Sequence, residues 1–142
     1  MNDLYNNALV KHALSPAAAG TTGTGRSSDI IDRRGYNGVL FDIHYGAATT
    51  TGYSVAITVL EGDVTGTMTS VADADLLGTE AAAALAAQAT TRTDGTGKNV
   101  CKKIGYRGDC RYVQIKEVPA GAATGIVGVT AILHDPHVAP VS

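Results

Sequence analysis

From Asp29 onward the chain consists of short β-branched runs separated by glycine-rich turns, and no segment carries a long helical period. Runs of this length cannot bury themselves singly, so they stack as an antiparallel sandwich or barrel. In "VLFDIHY", Val39, Phe41 and Ile43 alternate with Leu40, Asp42 and His44, giving one apolar and one mixed face. "YSVAITVLEGD" alternates likewise through Val55, Ile57 and Val59, and the two runs read as a hairpin or meander. Ile30-Ile31 opens a short strand, a weaker one is expected over residues 66–71, and three more over 98–106, 109–118 and 125–133. In "GIVGVTAIL" both faces are apolar, the pattern of a central strand with core on one side and a partner or covering loop on the other. Thr79 is placed to cap a short helix in "TEAAAALAAQATT", because alanine has the best helix propensity; the alternative is an irregular alanine-rich crossover.

The ends read differently. Residues 1–27 form a flexible N-terminal arm, since "GTTGTGRSS" buries too little apolar surface to offset its ordering entropy, although Leu9-Val10 and Ala13-Leu14 give it apolar spots. Residues 28–142 form the β-sandwich domain, which finishes in an extended tail where Pro136 and Pro140 forbid ladder pairing. Asp3, Lys11 and His12 break the pattern of a secretory signal, so export by that route is not expected. No apolar stretch approaches the roughly 20 residues that cross a bilayer, and no membrane partner is expected.

Several function classes lose support on composition and spacing. A formal net charge of -2 and a pI near 6.0 leave no basic field for nucleic acid. "GTGKN" lacks the first glycine of a phosphate loop, Arg92 standing in its place, and Asn99 replaces the magnesium-binding hydroxyl. No serine nucleophile elbow occurs. Cys101 or Cys110 with His44 would supply a thiol and a base, but no flanking motif accompanies them, so an enzyme is not expected. His134, His137 and His44 fall short of the four ligands of a structural zinc site; neither a metal nor another cofactor is expected. With no Trp and one Phe, the chain is thin in sugar-stacking surface. Arg107-Gly108-Asp109 resembles a cell-adhesion tripeptide, yet strand-like runs flank it, and it reads as a hairpin turn with Gly108 at positive φ. Such a hairpin would hold Cys101 and Cys110 roughly 13 Å apart, as reduced thiols.

The Asp-x-x-Gly-Tyr segment from Asp32 to Tyr36, Gly105 to Gly108 followed by Arg111-Tyr112-Val113, and the closing His134 to Val141 carry a resemblance. Together with "SVAITVLEGD" and "DLLGTEA", they make the chain similar to small tailed-bacteriophage capsid decoration, or cement, proteins. The resemblance implies a jelly-roll-like β-sandwich, made in the host cytoplasm, that binds the exterior of the icosahedral head. It would join neighbouring copies of the major capsid protein, as a homo-oligomer of two or three chains. The expected contact residues are Leu4, Tyr5, Leu9 and Val10 in the arm and His134, His137, Val138 and Val141 in the tail. The alternative is a receptor- or glycan-binding β-sandwich module of the virion, such as a head-fibre base or tail accessory.

Overall fold

The computed structural model describes residues 3–94, 98–121 and 125–138. A one-turn helix α1 (Leu4–Asn7) leads into β1 (Ala8–Ala18), β2 (Arg26–Ser27), β3 (Ile31–Asp32), β4 (Tyr36–Tyr45), β5 (Ser54–Val64) and β6 (Thr67–Ser70). After a short 3₁₀ turn (Asp73–Asp75) come β7 (Leu76–Leu77), helix α2 (Glu80–Ala83), β8 (Val100–Tyr106), β9 (Tyr112–Ala120) and β10 (Ile126–Pro136). One sheet has the order β1-β10-β4-β8-β7; the other has β2-β9-β5-β6, with β3 also on β9. All of these pairings are antiparallel. The order is that of a jelly roll, in which the chain passes from one sheet to the other between most successive strands.

The inward residues close the sandwich. Val39, Phe41, Ile43 and Tyr45 of β4 and Val55, Ile57 and Val59 of β5 are all at most 4% exposed. Each aliphatic side chain so buried contributes about 1.5–3 kcal/mol. Thr79 caps α2 as its sequence predicts, its hydroxyl accepting from the Ala82 amide at 3.1 Å.

Several expectations are corrected by this topology. β4 and β5 lie in different sheets and so make no hairpin, and the same holds for β8 and β9. Arg107, Gly108 and Asp109 are therefore a corner between the sheets. Gly108 does not adopt positive φ; it is required because a Cβ there would stand 2.5 Å from the Tyr106 hydroxyl oxygen. Cys101 and Cys110 are both free thiols, separated by the corner and not by a hairpin register. A true hairpin does join β5 and β6, with Val64 opposite Thr67.

The N-terminal arm is not free over its whole length. β1 pairs with β10 from Ala8 opposite His134 to Ala18 opposite Ile126, with bulges near Leu14. The bulges admit Ala13 and Leu14 in succession to the core. The Gly/Thr tract after β1 lies across β9, where Gly23 N donates to the Pro119 carbonyl and the Thr22 hydroxyl to that of Gly121. Gly25 sits at φ +71°, and a Cβ there would stand 1.7 Å from the Glu117 carbonyl oxygen. Small size and backbone hydrogen bonds, and not apolar area, hold this tract in place. Pro136 also sits within β10, opposite Tyr36 at its end, where the missing N–H interrupts little.

Candidate functional site

Residues 33–37, 106–111 and His137, which belong to the segments that carry the resemblance or adjoin them, meet at one corner of the sandwich. Arg33 donates through Nε to the Cys110 carbonyl and through its terminal nitrogens to the carbonyls of Gly108, Tyr36 and Asn37. Its guanidinium also lies 5.3 Å from the Tyr106 ring centroid. The Tyr106 hydroxyl donates to Glu61 and accepts from the Cys110 amide at 3.0 Å; burial is the leading cause that pushes its ionisation well upward. Arg107 donates to the Ala74 carbonyl, and His137 is pinned by its amide to Gly35 and by its ring to Asn37. The corner is thus a structural knot that reads out as a sequence motif.

Asp32 and Arg111 close its rim with a two-point ion pair of 3.0 and 2.6 Å. The hydrogen bond from Arg111 is the main reason the Asp32 carboxyl falls from 3.8 to about 2. A depressed pKa contributes stability above the unfolded value, and that contribution disappears as pH falls through the folded one. Asp32→Asn is therefore expected to destabilise the protein near neutrality by about 1 kcal/mol or less, since the pair is half-exposed. Urea midpoints across pH should show the gap to wild type closing between about pH 4 and pH 2; a gap constant over that range would contradict the assignment.

The outer face of the first sheet is the larger feature. Val10 stands opposite Ile132, Ile132 opposite Leu40, Leu40 opposite Gly105, and Gly105 opposite Leu77. The Leu77 side chain lies over Gly105, so an apolar row crosses all five strands, roughly 19 Å at about 4.8 Å per strand. Val10 is 65% and Leu77 47% exposed. A polar row of His12, Thr130, Asp42 and Lys103 flanks it on one side; Ala8, His134 and Gly38 lie on the other. The double-sided apolar pattern of residues 125–133 has its explanation here: Val127, Val129, Ala131 and Leu133 face the core, while Ile132 joins the outer row.

The expected contact residues divide among several environments. Val10 lies in the row; Leu9 points the other way and is partly buried against the core. Leu4 and Tyr5 are strongly exposed on α1, and a depression between Asp3, Leu4, Asn7, His134 and Pro136 joins that helix to the end of β10. The His134 ring covers Gly38. Val138 is exposed, and Val141 lies outside the described residues. Leu40, Leu77 and Arg33 were not singled out from the sequence; the row emerges only once the register is known.

A third cluster sits on the same face. Asp42 and His44 are two residues apart on β4, and Cys101 of β8 is the ladder partner of His44. His44 Nδ1 is 3.1 Å from Cys101 Sγ, and its Nε2 is 3.0 Å from an Asp42 carboxylate oxygen. Desolvation first, then the Asp42 charge, pushes the Cys101 thiol upward. That is opposite to the activation a nucleophilic cysteine needs. His44 is also remote from His134: their ladder positions on β4 are six residues apart, roughly 20 Å along the strand.

No protein-family model and no curated protein matches the sequence. Among solved structures, TmCBM61 in complex with β-1,4-galactotriose is similar at 11% identity and a TM-score of 0.43, over 92% of this chain and 90% of that one. The xylan-binding module CBM15 is similar at 10% identity and a TM-score of 0.40, over 96% of each. The CBM22-1 and GH10 modules of Clostridium thermocellum xylanase 10B are similar at 9% identity and a TM-score of 0.43, over 97% of this chain but 28% of that one. Likeness at this level carries no inference about ligand or activity; the strand order itself defines the jelly roll.

Proposed function

We propose that the chain is a non-catalytic docking module of a tailed-phage virion, applied through the outer face of its first sheet to the exterior of the capsid. The apolar row from Val10 to Leu77 is the observation that carries this reading. A ladder fixes its side chains in place, so little conformational entropy is lost when a flat protein surface covers them. The polar row beside it, His12, Thr130, Asp42 and Lys103, supplies part of the rim that protein interfaces have. The phage context comes from the family resemblance.

One such row, roughly 19 Å by 7 Å, covers on the order of 130 Å², against about 800 Å² per partner in a stable interface. A single face therefore binds weakly, and the exposed Leu4 and Tyr5 extend it. An oligomer of two or three chains would present several faces to a lattice of major capsid protein. Each engagement after the first is then intramolecular, so modest contacts suffice to cement neighbouring capsomers.

The test is co-sedimentation with shells of the virus's own major capsid protein. Val10→Asp with Leu77→Asp, both at exposed positions, is expected to weaken attachment by about 100-fold while the thermal melt stays near wild type. Undiminished attachment of that variant would overturn the docking face. A glycan array run on the same protein distinguishes the alternative: saturable, sugar-specific binding would replace the capsid reading with a glycan-binding one. Tyr5 is the strongly exposed aromatic among the described residues, whereas Tyr36 and Tyr112 are half-buried, which leaves a poor stacking platform.

A further inference from the structure

We infer that Asp42, His44 and Cys101 form a binding site for a zinc-type divalent cation, with one thiolate, one imidazole and one carboxylate as its protein ligands. The donors are brought together by the ladder and not by a loop. Directly opposed residues on adjacent antiparallel strands have Cβ atoms about 4.5–5.5 Å apart, and alternate residues of one strand share a face. His44 and Cys101 are such a pair, and Asp42 is the alternate residue. β4 is held by β10 on one side and β8 on the other, so the backbone beneath the site is fixed before any ion arrives.

The spacing suits a tetrahedral ion. Bond lengths of about 2.0–2.3 Å to nitrogen, oxygen and sulfur place neighbouring ligand atoms about 3.3–3.8 Å apart. Cys101 Sγ lies 3.1 Å from His44 Nδ1 and 3.9 Å from Asp42 Oδ1, and one donor from each of the three residues falls within 4.8 Å of the others. The half-exposed Asp42 and exposed His44 side chains turn about their own bonds to complete the set. In the metal-free structure the other carboxylate oxygen of Asp42 lies 3.0 Å from His44 Nε2; on ligation the carboxylate exchanges this hydrogen bond for the ion on the Nδ1 side.

The donor chemistry selects the ion. Calcium and magnesium require shells made mainly of oxygen, which one carboxylate does not provide. A mixed sulfur, nitrogen and oxygen set with three protein ligands is that of a zinc site with one open position. Binding replaces the Cys101 thiol proton, which leaves to solvent. Beside the cluster is an apolar depression that Pro16, Gly46, Asn99 and Ile126 line together with His44 and Cys101. The fourth ligand enters there, as water or as a donor from a surface docked on the sheet. Lys103 stands opposite Asp42 in the ladder.

The inference does not depend on the docking proposal and is tested on the isolated, reduced protein. Titration with Co²⁺ is expected to give a near-ultraviolet thiolate-to-cobalt charge-transfer band and tetrahedral visible bands, saturating at one ion per chain and displaced by Zn²⁺. Cys101→Ser should abolish the charge-transfer band. His44→Ala and Asp42→Asn should each weaken binding by about tenfold or more, while Cys110→Ser and His134→Ala leave it unchanged. Absence of the band at millimolar Co²⁺, or its survival in Cys101→Ser, would overturn the site. All of the substituted ligands are at exposed or half-exposed positions, so thermal melts of the metal-free variants should match wild type.

Discussion

Arg26→Leu is expected to lower the unfolding free energy by about 3–5 kcal/mol and the melting temperature by on the order of 10 °C. The reason is the group left behind. Glu117 is 1% exposed, and its Oε1 accepts from Arg26 Nε at 2.8 Å and from the Gly20 amide at 2.9 Å. Arg26 also links the two sheets. Its backbone pairs with Glu117 of β9, while its guanidinium reaches the Val127 carbonyl of β10 and the Ser15 and Ala17 carbonyls of β1. Without it, a buried carboxylate keeps one backbone partner and the carbonyls of two strands lose a donor.

Removing both charges is a different experiment. A buried ion pair replaced by apolar groups of similar volume is often neutral, because the desolvation cost disappears with the attraction. Arg26→Leu with Glu117→Leu is therefore expected to recover the larger part of the loss, although not the carbonyl bonds to β1 and β10. Urea denaturation of the four variants in the cycle measures the coupling. A single Arg26→Leu variant within about 1 kcal/mol of wild type would show that the pair contributes little. The nearby Tyr53 hydroxyl is buried too; desolvation, then the Glu117 charge, pushes it up to about 12. Both effects mark a polar pocket inside the core, at the end where the Gly/Thr tract crosses β9.

The sequence made the strands legible, because period-two alternation is a local property. Val39, Phe41 and Ile43, and likewise Val55, Ile57 and Val59, are buried as their spacing requires. Partners are not local. Residues 98–106 and 109–118 look like the arms of a hairpin, yet a jelly roll sends successive strands to opposite sheets, and the short connection at 107–111 serves a corner as well as a turn. The arm was misread for a related reason. "ALVKHALSPAA" lacks clean alternation because β1 carries bulges, so its period is broken where Ala13 and Leu14 both turn inward. The candidate sites follow the same rule. Asp42 and His44 show their common face from their spacing alone; that Cys101 meets them needs the pairing of β4 with β8, and the apolar row needs the register of five strands.

Arg33→Ala is expected to cost about 3 kcal/mol, whereas Arg107→Ala in the adhesion-like tripeptide should cost about 1 kcal/mol or less. The two arginines meet at the same corner with different duties. Arg33 is half-buried and distributes its donors over the carbonyls of Tyr36 and Asn37 at the start of β4 and of Gly108 and Cys110 in the corner between the sheets. Arg107 is exposed, and its side chain donates to the carbonyl of Ala74. Arg33→Lys should restore little, because an ammonium lacks the planar fork that reaches separate carbonyls and stacks on Tyr106. Thermal melts of the three variants decide the matter. If Arg107→Ala were as damaging as Arg33→Ala, the corner would hang on the tripeptide itself; the bonding pattern places its anchor at Arg33, 74 residues earlier in the chain, with Gly108 kept small so that the Tyr106 ring fits beneath it.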